Sequence, residues 1–281
     1  MRKINQMVLQ FIEWSVNPEI FPGSWLTVRW YGLLFAAAFF FGYLVLTRVF
    51  KNEFKDPQVA IKMLDKLAMY MFVATIIGAR LGHILFYEAD YYFSNPLEIL
   101  KIWNGGLASH GAALGILVGL WLFSKNTGKT YFWTLDRVVI VVALGGMLIR
   151  LGNLMNSEIF GRPTDLPWGF IFTSYDDVPR HPTQIYEALS YLFIFLLLHR
   201  IYWKNKGKPK PGFIFGLFLI LLFSARFLIE FLKVPQVAFE NTMTLNMGQW
   251  LSLPFILIGF VIVFYAEKSR QATGKSRGVN R

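Results

Sequence analysis

The chain contains no cysteine and few charged residues, and both shortages narrow the class of protein. The absence of cysteine excludes a thiol nucleophile, a zinc–thiolate site, an iron–sulfur cluster and disulfide bonds. Only 16% of the 281 residues are charged and 55% are hydrophobic, whereas a soluble domain has about 25% charged residues. With only four histidines, a metal centre built from histidine would need several of them to converge. The composition therefore predicts a polytopic membrane protein.

Seven apolar stretches are long enough to cross a bilayer, which takes about 20 residues of helix. They cover roughly residues 25–47, 67–87, 106–123, 132–152, 184–202, 212–232 and 247–265. The first is too long, and carries Arg29 too early, for a cleavable signal peptide. We therefore expect an all-α fold with about seven transmembrane helices in one domain, 1–281. Outward loops near 88–105, 153–183 and 233–246 would cover its site.

Lysine and arginine are distributed unequally between the two sets of connecting segments. One set, which includes 48–66, 124–130, 200–210 and the C-terminal tail, holds 17 basic residues, and the opposite set holds seven. Because basic loops stay in the cytoplasm, the N-terminus is predicted outside and the C-terminus inside. The net charge of +11 is then mostly an orientation signal, and no nucleic-acid partner is expected.

Ionisable residues within the spans concentrate on the side that this orientation places outward. The inner halves carry almost none apart from Asp136 and Arg137, whereas the outer parts hold Arg29, Arg80, His83, His110, Arg150, His181, Glu187, Arg226 and Glu230. Such residues cost about 2.5–3.5 kcal/mol each to insert, so each is a candidate functional residue.

Simpler explanations exist for some of these residues. Arg226 and Glu230 are four residues apart and could form a structural ion pair on one helix face. The glycines of 78–82 and 145–146 could serve close helix packing. However, arginines at one depth repel one another unless an anion lies between them, and guanidinium groups bind phosphate bidentately. The pattern therefore favours a site for a lipid phosphate.

Segment 150–164 resembles the signature of the bacterial prolipoprotein diacylglyceryl transferases, which reads broadly G-R-x-G-N-F-x-N-x-E-x-x-G. Further blocks resemble those of the same family, and all of the blocks occur along the chain in the family's order. They lie at 28–32, 78–82 with 86–87, 105–111, 181–187, 226–231 and 247–249. The chain departs from the family pattern at Ala112, Ile149, Leu154 and Leu222, where the family more often has Gly, Gly, Phe and Tyr.

The resemblance implies an enzyme of the bacterial inner membrane with its active site toward the outer leaflet. Its substrates would be phosphatidylglycerol and the signal peptide of a prelipoprotein with a lipobox cysteine. The diacylglyceryl group would pass to the cysteine thiol as a thioether, and glycerol 1-phosphate would leave. No metal or cofactor is implied.

The predicted catalytic residues are His110, Arg150 and Arg226. The two arginines would stabilise the phosphate, where charge develops during transfer, and His110 would take the thiol proton. The predicted substrate-binding residues are Tyr31, Arg80, Arg150, Asn153, Asn156, Glu158, Gly161 and Glu230.

Two alternatives come from other classes of protein. A transporter for lipids or anions would need polar residues that continue through the inner halves of the spans, which are nearly free of them. A non-catalytic phosphatidylglycerol-binding protein is compatible with the arginines but disfavoured by the sequence blocks.

Overall fold

The structure is a computed structural model that describes residues 11–25, 27–234 and 243–278, with side chains not described at 104 and 269–278. Eight α-helices account for most of the described chain. They are α1 (Trp30–Glu53), α2 (Pro57–Tyr87), α3 (Ala89–Ser94), α4 (Ser109–Thr127), α5 (Tyr131–Met155), α6 (Thr183–Lys204), α7 (Phe213–Glu230) and α8 (Met247–Gly278). The prediction of an all-α membrane protein is confirmed.

Six of the described helices are long and apolar enough to cross a membrane: α1, α2, α5, α6, α7 and α8. The remaining predicted span, the third at 106–123, corresponds to α4, which begins at Ser109 rather than near residue 106. Its apolar part is shortened at both ends, because His110 lies in the first turn and Lys125 in the last.

The chain divides into two compact units. The first comprises Met1–Gly42 and Val139–Arg281, and the second comprises Tyr43–Val138. The division falls within α1 and α5, so each unit contains one part of both helices.

In the second unit, α2 and α4 pack directly against each other through glycine. A Cβ atom on Gly78 would lie 2.4 Å from the carbonyl oxygen of Gly111, and one on Gly82 would lie 2.5 Å from the Gly111 Cα. The predicted packing role of the glycines at 78 and 82 is therefore confirmed. The connection between the two helices contains α3 and two short 3₁₀ turns, Pro96–Leu100 and Ile102–Asn104.

The first unit also contains a small sheet that the sequence did not predict. Strand β1 (Ile12–Trp14) pairs in parallel with β2 (Phe170–Phe172), which pairs antiparallel with β3 (Pro179–Arg180). Beneath it, Leu154 packs with Phe170 and Phe172. Position 154, where the family signature has Phe, is thus an apolar packing position that Leu fills.

Of the predicted outward loops, 88–105 and 153–183 are described, whereas residues 235–242 of the third lie outside the described residues, as do residues 1–10 at the N-terminus.

Candidate functional site

A buried network of charged side chains lies where three helices of the first unit end or begin. Arg150 is near the end of α5, Glu187 lies in the second turn of α6, and Glu230 is the last residue of α7. Arg150 Nε lies 3.0 Å from Glu187 Oε2. Lys233 Nζ lies 2.9 Å from Glu187 Oε1 and 3.4 Å from Glu230 Oε2. The fully buried carboxylate of Glu187 therefore meets a cation at each of its oxygens.

Lys233 is not among the residues singled out from the sequence, and Glu187 is there only as one of the ionisable residues near the outer helix ends, without an assigned catalytic or binding role. Glu187 belongs to the block at 181–187, and Lys233 stands three residues after Glu230, so both carried a sequence signal. Removing such charges from water costs several kcal/mol per ion, and only close partners offset that cost. The ion pairs therefore make Glu187 and Lys233 part of the site.

Arg226 adds a further positive charge beside this network. Its Nε is buried and makes no hydrogen bond within the part of the chain that the structure describes. Arg150 and Arg226 both interact electrostatically with the Tyr191 hydroxyl. Among the described residues, Glu230 forms its ion pair with Lys233 rather than with Arg226. The alternative of an Arg226–Glu230 pair is therefore not what the structure shows.

The carboxylate of Glu230 is also held by the start of α8. A Cβ on Gly248 would lie 2.5 Å from the Glu230 Cδ, so a larger residue there would displace the carboxylate. Asn246 and Gln249 cap the helix reciprocally, each side-chain oxygen accepting from the other's backbone N–H at 3.0 and 3.1 Å. The Asn246 amide lies 3.3 Å from Glu230 Oε1. The block at 247–249 thus places a helix N-terminus, with its positive dipole end, against a carboxylate.

A second chain of contacts leads from Arg150 into the signature segment. Arg150 Nη1 donates to Asn153 Oδ1 at 3.3 Å, as the three-residue spacing predicts for one helix face. Asn153 Nδ2 donates to Glu158 Oε1 at 2.7 Å, and Asn156 Nδ2 lies 3.3 Å from the same oxygen. The structure therefore links four of the predicted residues in one chain of hydrogen bonds that ends at the Glu158 carboxylate.

The backbone on either side of Glu158 is strained. Ser157 and Ile159 have φ angles of 52° and 59°, in the left-handed region that β-branched residues rarely adopt. Two buried side chains at the start of α6 contact this turn. Thr183 Oγ1 donates to the Ile159 carbonyl at 2.8 Å, and Gln184 Nε2 donates to the Glu158 carbonyl at 2.7 Å.

A cavity of about 500 Å³ lies beside the signature segment. Its lining residues are Asn17, Pro18, Glu19, Arg29, Asn156 and Glu158. The Asn156 Oδ1 atom is buried and has no hydrogen-bond partner among the described residues. The cavity thus offers a guanidinium, carboxylates and a free amide oxygen, which suits a ligand that both donates and accepts hydrogen bonds.

Tyr31 and Gly161 occupy different positions relative to this cluster. The Tyr31 ring packs against Gly152, where a Cβ would lie 2.9 Å from the ring, and its hydroxyl interacts electrostatically with Glu158 and Arg150. Gly161 is enclosed by protein, because a Cβ there would meet the Leu232 carbonyl at 2.6 Å. The structure therefore places Tyr31 within the site and gives Gly161 a close-packing role.

Arg80, in the second unit, is engaged by its own loop. The guanidinium donates to the carbonyls of Ile99 at 2.9 Å, Gly105 at 2.7 Å and Glu98 at 2.5 Å, and stacks on the Tyr92 ring. These contacts use the donors that a phosphate would need. In the structure Arg80 thus holds the loop between α2 and α4.

His110, the predicted proton acceptor, is exposed in the first turn of α4 in the second unit. The next residue, Gly111, packs against α2. The backbone on one side of His110 is therefore fixed, while its imidazole is open to solvent or substrate.

Between the spans, the segment before α6 carries two perturbed groups. Burial lowers the pKa of His181, whose Nδ1 lies 3.2 Å from the Tyr186 hydroxyl. The Arg180 guanidinium, which is hydrogen-bonded to Asp176, lowers the pKa of that carboxyl. No group of three or more His, Asp or Glu side chains that could hold a metal ion occurs among the described residues.

Six helices of membrane-spanning length, together with charged side chains that pair at the helix ends, define an integral membrane protein. Comparison with known proteins gives the particular family. The sequence model of prolipoprotein diacylglyceryl transferase matches residues 18–265, and the chain belongs to that family.

Three relatives named phosphatidylglycerol–prolipoprotein diacylglyceryl transferase illustrate the similarity. The protein of Tolumonas auensis is 46% identical over 258 residues, covering 92% of this chain and 98% of the relative. That of Chloroherpeton thalassium is 45% identical over 262 residues, covering 93% and 96%. That of Bacteroides fragilis is 41% identical over 279 residues, covering 95% and 99%. The predicted family is confirmed, and it makes the chain a transferase.

Proposed function

We propose that this protein transfers the diacylglyceryl group of phosphatidylglycerol to the lipobox cysteine thiol of a prelipoprotein. The observation that carries the proposal is that Arg150 and Arg226 both interact electrostatically with Tyr191, in a family whose named members act on these two substrates. Arg226 Nε is buried without a hydrogen-bond partner among the described residues, so a phosphate oxygen would satisfy it.

The chemistry requires negative charge to move from sulfur to phosphate. The cysteine thiolate attacks the glycerol carbon that bears the phosphodiester, a C–S bond forms, and the C–O bond to phosphate breaks. Glycerol 1-phosphate leaves with the electron pair. Because Arg150 is already oriented by Glu187 and Asn153, its guanidinium stabilises the developing charge without reorganising.

The remaining predicted residues have two roles, binding of the lipid headgroup and removal of the thiol proton. Asn153, Asn156 and Glu158 bind the hydroxyl groups of the lipid headgroup at the cavity that Asn156 and Glu158 line. We assign His110 to accept the thiol proton, since histidine is the side chain that most often serves as a general base.

The location follows from the charge distribution. Lysine-rich segments mark one set of helix ends as cytoplasmic, and Arg150, Glu187 and Arg226 lie toward the opposite ends. We therefore place the protein in the bacterial inner membrane with this cluster at the outer leaflet, within one catalytic domain spanning 1–281.

The test is a transfer assay with purified protein, phosphatidylglycerol vesicles and a peptide that carries a lipobox cysteine. Mass spectrometry of the peptide should show addition of one diacylglyceryl group, with equimolar glycerol 1-phosphate. A transporter or a lipid-binding scaffold would leave the peptide unmodified, and that result would contradict the proposal.

Arg150→Ala should lower the rate about a hundredfold or more, since one preorganised donor to developing charge is worth about 3 kcal/mol. Arg150→Lys and Arg226→Lys should each retain part of the activity, because Lys keeps the charge but loses the bidentate contact. The matched control is Arg200→Ala, at an exposed position on α6, which should have wild-type activity. Wild-type turnover in Arg150→Ala would remove Arg150 from the mechanism.

A further inference from the structure

The turn around Glu158 is held in an unfavourable conformation by two side chains from another helix. Left-handed backbone at Ser157 and Ile159 costs free energy, and such residues persist only where their surroundings fix them. Here the fixing contacts are the hydrogen bonds that Thr183 and Gln184 donate to the carbonyls of Ile159 and Glu158.

Both side chains are fully buried, and hydrophobic packing alone does not explain their polarity. Thr183 and Gln184 have no exposure to solvent. The Gln184 Oε1 atom has no hydrogen-bond partner within the described residues, which is an unfavourable state for a buried polar atom. An apolar residue would pack there without that cost. The hydrogen bonds that Thr183 and Gln184 donate to the two carbonyls therefore explain why these buried positions are polar.

The turn matters because it determines where the Glu158 carboxylate points. That carboxylate accepts from Asn153 and lines the cavity together with Asn156. Release of the two carbonyls would let Ser157 and Ile159 relax toward ordinary backbone angles, and the carboxylate would turn with them.

We propose that Thr183 and Gln184 are positioning residues, which hold the 157–159 turn so that Glu158 faces the cavity for the lipid headgroup. This inference rests on the proposed function, which supplies the headgroup. Neither residue needs to touch the substrate; both act through Glu158.

The experiment removes each donor while conserving side-chain shape. Thr183→Val and Gln184→Met should lower kcat/KM for phosphatidylglycerol about tenfold to a hundredfold, the range expected for displacement of a binding group by about 1 Å. Thr183→Ser keeps the donor and should restore activity to within about threefold of wild type, on the same reasoning. The matched control is Ser190→Ala, which removes a 2.8 Å hydrogen bond from a hydroxyl to the Tyr186 carbonyl in the same helix. That control should leave kcat/KM unchanged.

A double variant tests whether the effect passes through Glu158. In a Glu158→Gln background, Thr183→Val should lower kcat/KM by less than about threefold, because residues that act as one unit are not additive. Losses that multiply fully would overturn the inference, as would wild-type kinetics in both Thr183→Val and Gln184→Met. If Thr183→Val does not accumulate in membranes, Gln184→Met in both backgrounds provides the same comparison.

Failure of the inference and failure of the proposed function give different results. If the wild-type protein lipidates no peptide, the proposed function fails. If the wild-type protein is active and Glu158→Gln is impaired, but Thr183→Val and Gln184→Met match Ser190→Ala, only the positioning role is wrong.

Discussion

The Glu187 carboxylate shows how a single residue depends on its partners. It is fully buried, and its two oxygens contact Arg150 from α5 and Lys233 from beyond α7. Removal of one partner from a buried pair is more costly than the pair is stabilising, because the other charge stays buried without compensation. The same contacts orient Arg150 before any ligand arrives.

Lys233→Met should therefore destabilise the protein by about 3–5 kcal/mol, since Met keeps the length of the side chain but leaves Glu187 and Glu230 short of a cation. Thermal unfolding in detergent measures the change. Lys206→Met, at an exposed position, is the control and should be neutral. In Lys233→Met, a second substitution of Glu187→Gln should restore part of the stability, because it removes the uncompensated charge. An equal loss in the single and double variants would contradict the ion-pair account.

The sequence predicted contacts within one helix better than contacts between helices. Arg150 and Asn153 are three residues apart, a spacing that places them on one helix face, and they do contact each other. Glu187 and Lys233 are 46 residues apart, and no periodic pattern relates them. Arg80 was predicted to bind substrate, but its donors go to backbone carbonyls, which have no signature in a sequence.

At the scale of elements, α2 and α4 approach each other so closely that their backbones touch. Gly111 is the central contact: a Cβ there would lie 2.2 Å from the Gly78 carbonyl oxygen and 2.6 Å from the Gly82 Cα. Small residues allow such an approach in membranes, where van der Waals contact replaces the hydrophobic effect as the driving force.

Gly111→Ala should destabilise the second unit by about 1–3 kcal/mol, the usual cost of overpacking, because backbone atoms cannot move aside easily. The thermal unfolding midpoint and the amount of protein in the membrane would both fall. Gly32→Ala is the control, since a Cβ at that helical position has no neighbour within 4 Å. It should be neutral or slightly stabilising, because Ala favours helix over Gly. Equal midpoints for the two variants would show that the close packing is not needed.

His181, in the connection between β3 and α6, should make the free energy of unfolding depend on pH. Burial lowers the pKa of His181 in the folded protein, whereas an unfolded His has a pKa near 6.5. The unfolded chain therefore binds a proton more readily, and stability should fall as the pH drops below about 6.5 toward the folded pKa. His181→Gln should flatten this dependence between pH 7.5 and 5 in thermal unfolding experiments. An unchanged slope in His181→Gln would show that other groups cause the pH dependence.

Helices were predictable here and strands were not, for a physical reason. A membrane span needs about 20 apolar residues, so its signal is long and survives local variation. Strands β1 and β2 have three residues each, too few for an alternating pattern, and they pair across most of the chain. The start of α4 was also misplaced, because the apolar residues of 106–108 precede the helix that begins at Ser109.

At the scale of the whole molecule, charged residues are concentrated in two separate places along the helices. Basic residues in the segments 48–66 and 200–210 mark one set of helix ends. In the first unit, the buried ion pairs of Arg150, Glu187 and Lys233 lie toward the other set. Insertion is governed by the first distribution, since lysine and arginine near a span keep their loop in the cytoplasm. The orientation proposed for the site therefore follows from residues that take no part in its chemistry.

Because the chain has no cysteine, single cysteines can report this orientation without further changes. Asn95→Cys and Asp177→Cys, at exposed positions in the proposed outward loops, should react with a membrane-impermeant maleimide in spheroplasts. Lys55→Cys and Lys208→Cys, also exposed, should react only after the membrane is permeabilised. Transfer activity in each variant verifies that the labelled protein is folded. The opposite labelling at both pairs would place the Arg150 cluster at the cytoplasmic face. At that face the cysteine of a secreted protein has not yet left the reducing compartment. The arginine site would then stand, but the outer-leaflet assignment would have to be abandoned.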